Sequence, residues 1–430
     1  MFDVTWLAGY AKTSFTHSKD PITLRLKSGG KQSFSQFVED VIPPCRLNPA
    51  LFNGHLQTMW TAIKDAGPPV HYKRNVFQST HSLYAGQFAV DFVVPPSDYE
   101  PDTTLPERTT YYSKEDFDNI SSDDDKPMLI CLHGLSGGSH EVYLRQVVAP
   151  ITAAGWEACV VNSRGCALSK ITTPQLFNAR TTWDLRQTVE FLRSAFPNRP
   201  LYGIGFSLGA NILTNYVAEE GEACVLKSAV ACSNPWNLDV SHQGLLRSFI
   251  GMQVYSRTMG TNLKKLYALH KDQILQNPKI KHEDVMNCRY LYEFDRVIQG
   301  PTWGYPTEGA YYRDSSSTDA VSAIRIPFLG VSAEDDPISH IEAIPFEEFK
   351  QNPYAVLCTT NWGGHLSWFQ VGGKRWFATA VVAFLMKMHD SVDLNALNED
   401  NDAVVIGNVE AGKNYPKWDP SNRRLTVPLS

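Results

Sequence analysis

The chain has 430 residues, 43% of them hydrophobic and 20% charged, with 39 basic against 45 acidic side chains for a formal net charge of −6. That composition excludes wholesale disorder and any fibrous or low-complexity architecture. It also excludes nucleic-acid binding driven by net charge, which needs a basic surface to displace counter-ions.

In chain order, residues 1–40 read as an irregular N-terminal leader, with no apolar run of the kind a secretory signal or membrane span needs. Residues 41–66 (VIPPCRLNPALFNGHLQTMWTAIKDA) are apolar and aromatic enough to pack on a domain. FAVDFVV (88–94) has partial period-2 character and predicts a strand. Residues 95–126, rich in Pro, Asp and Ser, read as an insertion or long exposed loop. The chain then alternates. Strands are predicted at 128–133, 157–162, 201–206 and 226–233, with helices over 141–155, about 174–195, and from 208 onwards. Buried β-runs separated by helices predict a parallel sheet covered on both faces, an α/β fold.

The alternation breaks over 236–315, a helical stretch with many aromatics and no strand signal, read as a cap inserted into the sheet. It resumes with a strand at 326–333, a helix around 340–350, a strand at 354–360 and a last helix around 374–389. The implied organisation is a leader (1–40), one α/β domain with its cap (41–390) and a loosely attached polar tail (391–430). Nowhere do about 18 consecutive apolar residues occur, so no membrane span is predicted. The eight cysteines include no CxxC pair and no Cys/His pair at ligand spacing. They predict buried free thiols in a reducing, cytoplasmic compartment and no metal site.

Chemistry concentrates in three segments. G-F-S-L-G (205–209) follows a predicted buried strand and opens a helix, which is the setting of a nucleophile elbow with Ser207 exposed at the turn. G-L-S-G-G (134–138) fits the same pattern. Ser136 is set aside because its loop follows the 128–133 strand, where the oxyanion loop belongs and no upstream loop is left to supply a second N–H. With Ser207 as nucleophile, the N–H groups of Leu208 and Leu135 become the oxyanion donors. His365, in N-W-G-G-H after the last predicted strand, is the base. The acid comes from E-D-D-P-I-S (334–339), where Asp335 and Asp336 both qualify. Asp336 is favoured because Ile338 follows it at the spacing expected after such a strand. Its work is to hold the histidine tautomer and stabilise the imidazolium. His133 reads as a structural histidine and Arg164 as a residue that orders nearby loops.

Six segments together resemble the α/β-hydrolase superfamily: LNPALFNGHLQT (47–58), HGLSGGSHE (133–141), NSRGC (162–166), GFSLGAN (205–211), DDP (335–337) and GGH (363–365). More narrowly they resemble the branch that holds yeast medium-chain fatty acid ethyl ester synthase/esterases and mammalian α/β-hydrolase-domain lipases. The resemblance implies a cofactor-independent Ser-His-Asp enzyme, with Ser207, Asp336 and His365 in the triad roles. It implies small-molecule acyl esters or thioesters as substrates, with water or an alcohol as acceptor. It also implies a monomer, with contact to membranes or lipid droplets at most peripheral. The competing expectations are a membrane-surface lipase or phospholipase, an O-acyltransferase of a fungal secondary metabolite, and a catalytically silent binding module. An HxxxxD motif associated with acyl transfer in some relatives is absent.

Overall fold

The computed structural model describes residues 8–63, 66–96, 102–397, 417–420 and 422–426. Strands β1 (Thr13–His17), β2 (Thr23–Arg25) and β3 (Lys31–Ser33) come first, β2 and β3 forming a small hairpin of their own. They are followed by β4 (His71–Gln78), β5 (Gln87–Val94), β6 (Thr109–Tyr111), β7 (Met128–Leu132), β8 (Glu157–Asn162), β9 (Leu201–Phe206), β10 (Leu226–Cys232), β11 (Phe328–Ala333) and β12 (Ala355–Thr360). The ten-stranded central sheet has the order β1-β12-β11-β10-β9-β7-β8-β5-β4-β6. From β12 across to β8 every pairing is parallel. Antiparallel pairings flank this block, β1 on one side and β5 with β4 on the other.

Side-chain alternation splits the interior into two cores. Met128, Ile130 and Leu132 of β7 join one apolar cluster, with the helices Trp183–Ala195 and Leu208–Glu220 and the cap. Leu129 and Cys131 of the same strand face the other, with the helices Val142–Ala153 and Trp376–Ser391. Strands apolar on both faces cannot be left exposed, which is why helices cover both sides. Between β10 and β11 the chain is helical: Leu238–Arg247, a π-helical turn Gly251–Ser256, Arg257–Ile274, His282–Asn287, Leu291–Trp303 and Glu308–Ser315.

Several sequence expectations change. The described part of the segment read as an irregular leader is ordered. β1 pairs with β12 from Thr13↔Thr360 to His17↔Val356, and helix Phe34–Val41 buries Phe34, Phe37 and Val38 against the Trp376–Ser391 face. TSFTH is half-buried at every position, so an edge strand of this kind leaves no strong period in the sequence. β4 carries no strand signal for a similar reason: HYKRNVFQ is largely polar, and its partnership with β5 decides its structure. The exposed loop of 95–126 contains β6 and the short helix Lys114–Asp118. The helix expected from 174 begins at Trp183. Most of the predicted tail lies outside the described residues. Where it is described, Arg423 donates to the Ser316 carbonyl at 2.7 Å and also bonds Asn215. All eight cysteines are unbonded, and seven of them are buried. Among the described residues no helix is long and apolar enough to cross a membrane.

Candidate active site

Ser207 is the one-residue joint between β9 and the helix Leu208–Glu220. Its φ of +52° and ψ of −117° are strained for a residue with a side chain, and the strain persists only because the surroundings fix it. Its N–H donates to the Cys232 carbonyl at 2.9 Å, tying the turn to β10. Gly209 is required by contact: a Cβ there would sit 2.4 Å from the Leu132 carbonyl oxygen and 2.5 Å from that of His133. The turn thus brings the 134–138 loop and the serine together at the C-terminal ends of β7 and β9.

His365 reaches over from the loop after β12. Its Nε2 lies 2.8 Å from Ser207 Oγ and its Nδ1 2.8 Å from Asp336 Oδ2. Asp336 is 3% exposed, and its Oδ1 accepts the N–H groups of Ile338 and Ser339, each at 2.8 Å. Ser339 Oγ lies 3.3 Å from His365 Nδ1 and donates to the Ser233 carbonyl. Asp335, the other carboxylate weighed for this place, faces away from the imidazole. Its Oδ1 accepts the N–H groups of Gly363 and Gly364 at 2.9 and 3.0 Å, so it shapes the histidine loop. Burial pushes its carboxyl up to about 6, with the charge of Asp336 adding to the rise.

The amides of Leu135 and Leu208 have no acceptor among the described residues. Both residues border the same cavity as Ser207. The Leu135 loop is held from behind. Gly134 N–H donates to Tyr143 Oη at 2.8 Å. Below it, Asp91 on β5 is fully buried and pairs with Arg74 of β4 at 2.7 and 2.9 Å. Asp91 also accepts from Ser139 Oγ at 2.6 Å and Asn162 Nδ2 at 2.8 Å, so a buried ion pair anchors the loop's far end. His133 is structural: Nε2 accepts the Ser163 N–H, so Nδ1 carries the proton to the Gly134 carbonyl, and burial pulls its imidazole down to about 4. Ser136, in the same loop, has no histidine partner among the described residues. Arg164 grips Asp184 through two nitrogens at 2.8 Å, bonds the Tyr84 and Ala85 carbonyls, and lies 3.3 Å over the Tyr84 ring. It orders loops and has no hydrogen bond to Ser207, His365 or Asp336.

Sequence reasoning noticed 47–58 only as a motif; the structure gives it a task. Asn53 caps the helix Gly54–Trp60. Thr58 Oγ1 accepts the His365 N–H at 3.0 Å. Gln57, fully buried, accepts the Phe369 N–H at 2.7 Å and donates to the Leu51 carbonyl. Gly54 packs so closely that a Cβ would lie 2.0 Å from the Asp335 carbonyl oxygen. The helix therefore clamps the histidine loop and the acid loop at once. An asparagine cap followed one turn later by Gln and Thr was the available signal, but nothing local names their partners. His55 on the outer side stacks on Tyr255 of the π-helical turn and hydrogen-bonds its hydroxyl at 2.9 Å, joining clamp to cap.

Two spaces flank the serine and histidine. A cavity of about 100 Å³ beside Ser207 is walled by cap residues such as Leu238, Leu245 and Leu263. An open cleft of about 950 Å³ borders His365, with Thr58, Ile63 and Tyr143 along it. Among the described residues no cluster of three or more His, Cys, Asp or Glu is arranged to hold a metal ion.

A family model described as alpha/beta hydrolase fold matches residues 127–367. A monoacylglycerol lipase of Saccharomyces cerevisiae is 38% identical over 378 residues, covering 83% of this chain and 83% of that protein. Medium-chain fatty acid ethyl ester synthase/esterase 2 of the same yeast is 28% identical over 425 residues, covering 86% and 93%. Phospholipase ABHD3 of Homo sapiens is 27% identical over 350 residues, covering 80% and 79%.

Proposed function

The chain belongs to the α/β-hydrolase fold family, with esterase and lipase relatives, and on that footing we propose that it is a serine esterase acting on acyl esters through an acyl-enzyme. The observation that carries this reading is the pair of 2.8 Å contacts on either side of the His365 ring, to Ser207 Oγ and to Asp336 Oδ2. In this reading Ser207 Oγ attacks the ester carbonyl while His365 Nε2 takes its proton. Asp336 holds Nδ1–H in place and stabilises the imidazolium. The carbonyl oxygen becomes an oxyanion, which the N–H groups of Leu135 and Leu208 receive. Each such donor is worth about 3 kcal/mol in the transition state. His365 then hands its proton to the departing alkoxide. Water or an alcohol attacks the acyl-enzyme with His365 again as base, so hydrolysis and ester synthesis differ only in the acceptor. Substrates are lipid-derived esters, as the monoacylglycerol lipase relative supports, with medium-chain acyl groups, as the name of the ethyl ester synthase/esterase relative supports. The eight unbonded thiols support a reducing, cytoplasmic setting.

The test is hydrolysis of p-nitrophenyl esters from acetyl to palmitoyl, with and without ethanol, by wild type and Ser207→Ala. A medium-chain optimum, ethyl ester formed in the presence of ethanol, and loss of turnover in the variant are expected. Activity that survives in Ser207→Ala refutes the nucleophile assignment. A second reading is a lipase working at a lipid surface. Phe52, Trp60 and Ile63, 56%, 42% and 54% exposed, lie in or next to the clamp helix, and Ile63 lines the open cleft. Sedimentation with lipid vesicles that is lost in Trp60→Ser would favour it.

A further inference from the structure

The cavity beside Ser207 is not apolar throughout. Asp295 and Gln299 stand one turn apart on the cap helix Leu291–Trp303, so their side chains leave the same face. Both border the cavity, and they are only 6% and 4% exposed. Asp295 Oδ2 accepts the Tyr312 hydroxyl at 2.6 Å. Its Oδ1 has no donor, and no cation pairs with the carboxylate, among the described residues. Gln299 Nε2 donates to the Phe177 carbonyl at 3.2 Å, which fixes the amide and leaves Oε1 buried without a donor. A wall built only to receive an acyl chain has no use for two acceptors here, because burying an unpaired acceptor costs stability. A cavity of about 150 Å³ holds benzene. This one, at about 100 Å³, therefore takes in proportion a group of about four heavy atoms.

We propose that Asp295 and Gln299 form a hydroxyl-reading subsite that accepts hydrogen bonds from the free hydroxyls of a polyol ester such as a monoacylglycerol. The inference rests on the esterase reading and names the part of its substrate that the cap recognises. A neutral donor suits the site better than an ammonium group. Burial, with Glu308 nearby, pushes the Asp295 carboxyl up to about 7, while Tyr312 holds it down in part. Burial also lowers the tendency of the neighbouring His242 to protonate, against the pull of Asp239 and Glu308. Tyr312 positions Asp295 and leaves its second oxygen for the substrate.

The experiment compares 1-octanoylglycerol with ethyl octanoate, which carry the same acyl group and differ in free hydroxyls. The readout is the ratio of their kcat/KM values in wild type, Asp295→Leu and Gln299→Met, two shape-preserving changes that remove the acceptors. The ratio is expected to fall about 10- to 100-fold in each variant. A ratio within about twofold of wild type in both, whether the two rates drop together or stay put, overturns the proposal. Wild type alone gives a second measurement, which does not depend on how the variants fold. 1-O-octylglycerol, an ether that cannot be hydrolysed, should inhibit at least about tenfold more tightly than octyl ethyl ether. Equal inhibition overturns the proposal. Wild type inert towards both esters ends the esterase reading and this inference together, whereas active wild type with an unmoved ratio ends the inference only.

Discussion

Replacing Asp336 with Asn should nearly abolish turnover, because the hydrogen bonds around the carboxylate dictate which way the new amide points. Oδ1 receives two backbone N–H groups, from Ile338 and Ser339, at 2.8 Å. An Asn keeps its carbonyl oxygen there, since the reverse orientation sets an NH₂ against two donors. The NH₂ then occupies the place of Oδ2, 2.8 Å from His365 Nδ1. Nδ1 must accept, so the ring proton moves to Nε2 and points at Ser207 Oγ, which also stands 2.8 Å away. A protonated Nε2 cannot take the serine proton. The loss is about 10⁴-fold in kcat, as for a wrong-tautomer triad, or about 5.4 kcal/mol in the barrier at about 1.36 kcal/mol per tenfold. Asp335→Asn is the internal comparison. Its Oδ1 receives Gly363 and Gly364, an Asn oxygen serves equally well, and no ring nitrogen is involved. That variant should keep kcat within about tenfold of wild type. Stopped assays with p-nitrophenyl octanoate, alongside thermal melts to show that both variants fold, measure the two effects. Asp336→Asn retaining more than about 1% of wild-type kcat, or Asp335→Asn losing more than its neighbour, refutes the reasoning.

Thr58→Val leaves the His365 N–H without its acceptor and should lower kcat/KM about tenfold with KM little changed, as steady-state kinetics would show. A change confined to KM would contradict a positioning role. Asp91→Leu strands the buried Arg74 guanidinium and should cost about 3–5 kcal/mol in urea denaturation, with slower labelling of Ser207 by a phosphonate probe. Unchanged stability would mean that Arg74 finds another partner. Asp295→Asn should raise the melting temperature more at pH 8 than at pH 5. A carboxyl raised to about 7 in the fold, against an ordinary 3.8, withholds stability progressively as pH climbs from about 4 to 7, and the amide has no such cost. The gain at pH 8 is on the order of 2–4 kcal/mol. Melting curves that shift equally at both pH values would show that the carboxyl ionises freely.

The elements legible in the sequence are those whose residues are apolar on both faces. β7, β9, β10, β11 and β12 are buried at every or nearly every position, and their runs stand out without any partner in view. β1 and β4 are largely polar, and pairing rather than propensity makes them strands. The same division holds at the site. Ser207, His365 and the DD pair sit in local patterns, and chain order relates them. Between Asp335 and Asp336 the sequence offered only spacing, while the contact with the ring separates them. Thr58, Gln57, Tyr143 and the Arg74–Asp91 pair act through contacts across long stretches of chain. Their local sequence says at most that something polar is buried.

The clamp also fixes when the site can come into being. His365 takes its backbone acceptor from a residue 307 positions earlier, and β1 closes the sheet edge by pairing with β12 at the far end of the domain. Ribosomes add about 5–20 residues per second. The clamp helix and β1 therefore wait about 15–60 s for the strand and loop that they support. During that interval β1 offers an unpaired edge, and Gln57 and Thr58 have no partners. Contacts this distant slow folding because loop closure must be achieved before they contribute. On the proposed mechanism, a nascent chain ending before residue 365 can carry Ser207 and the 134–138 loop and still be inert. Activity, on that mechanism, then reports that the chain has been built at least through the histidine loop.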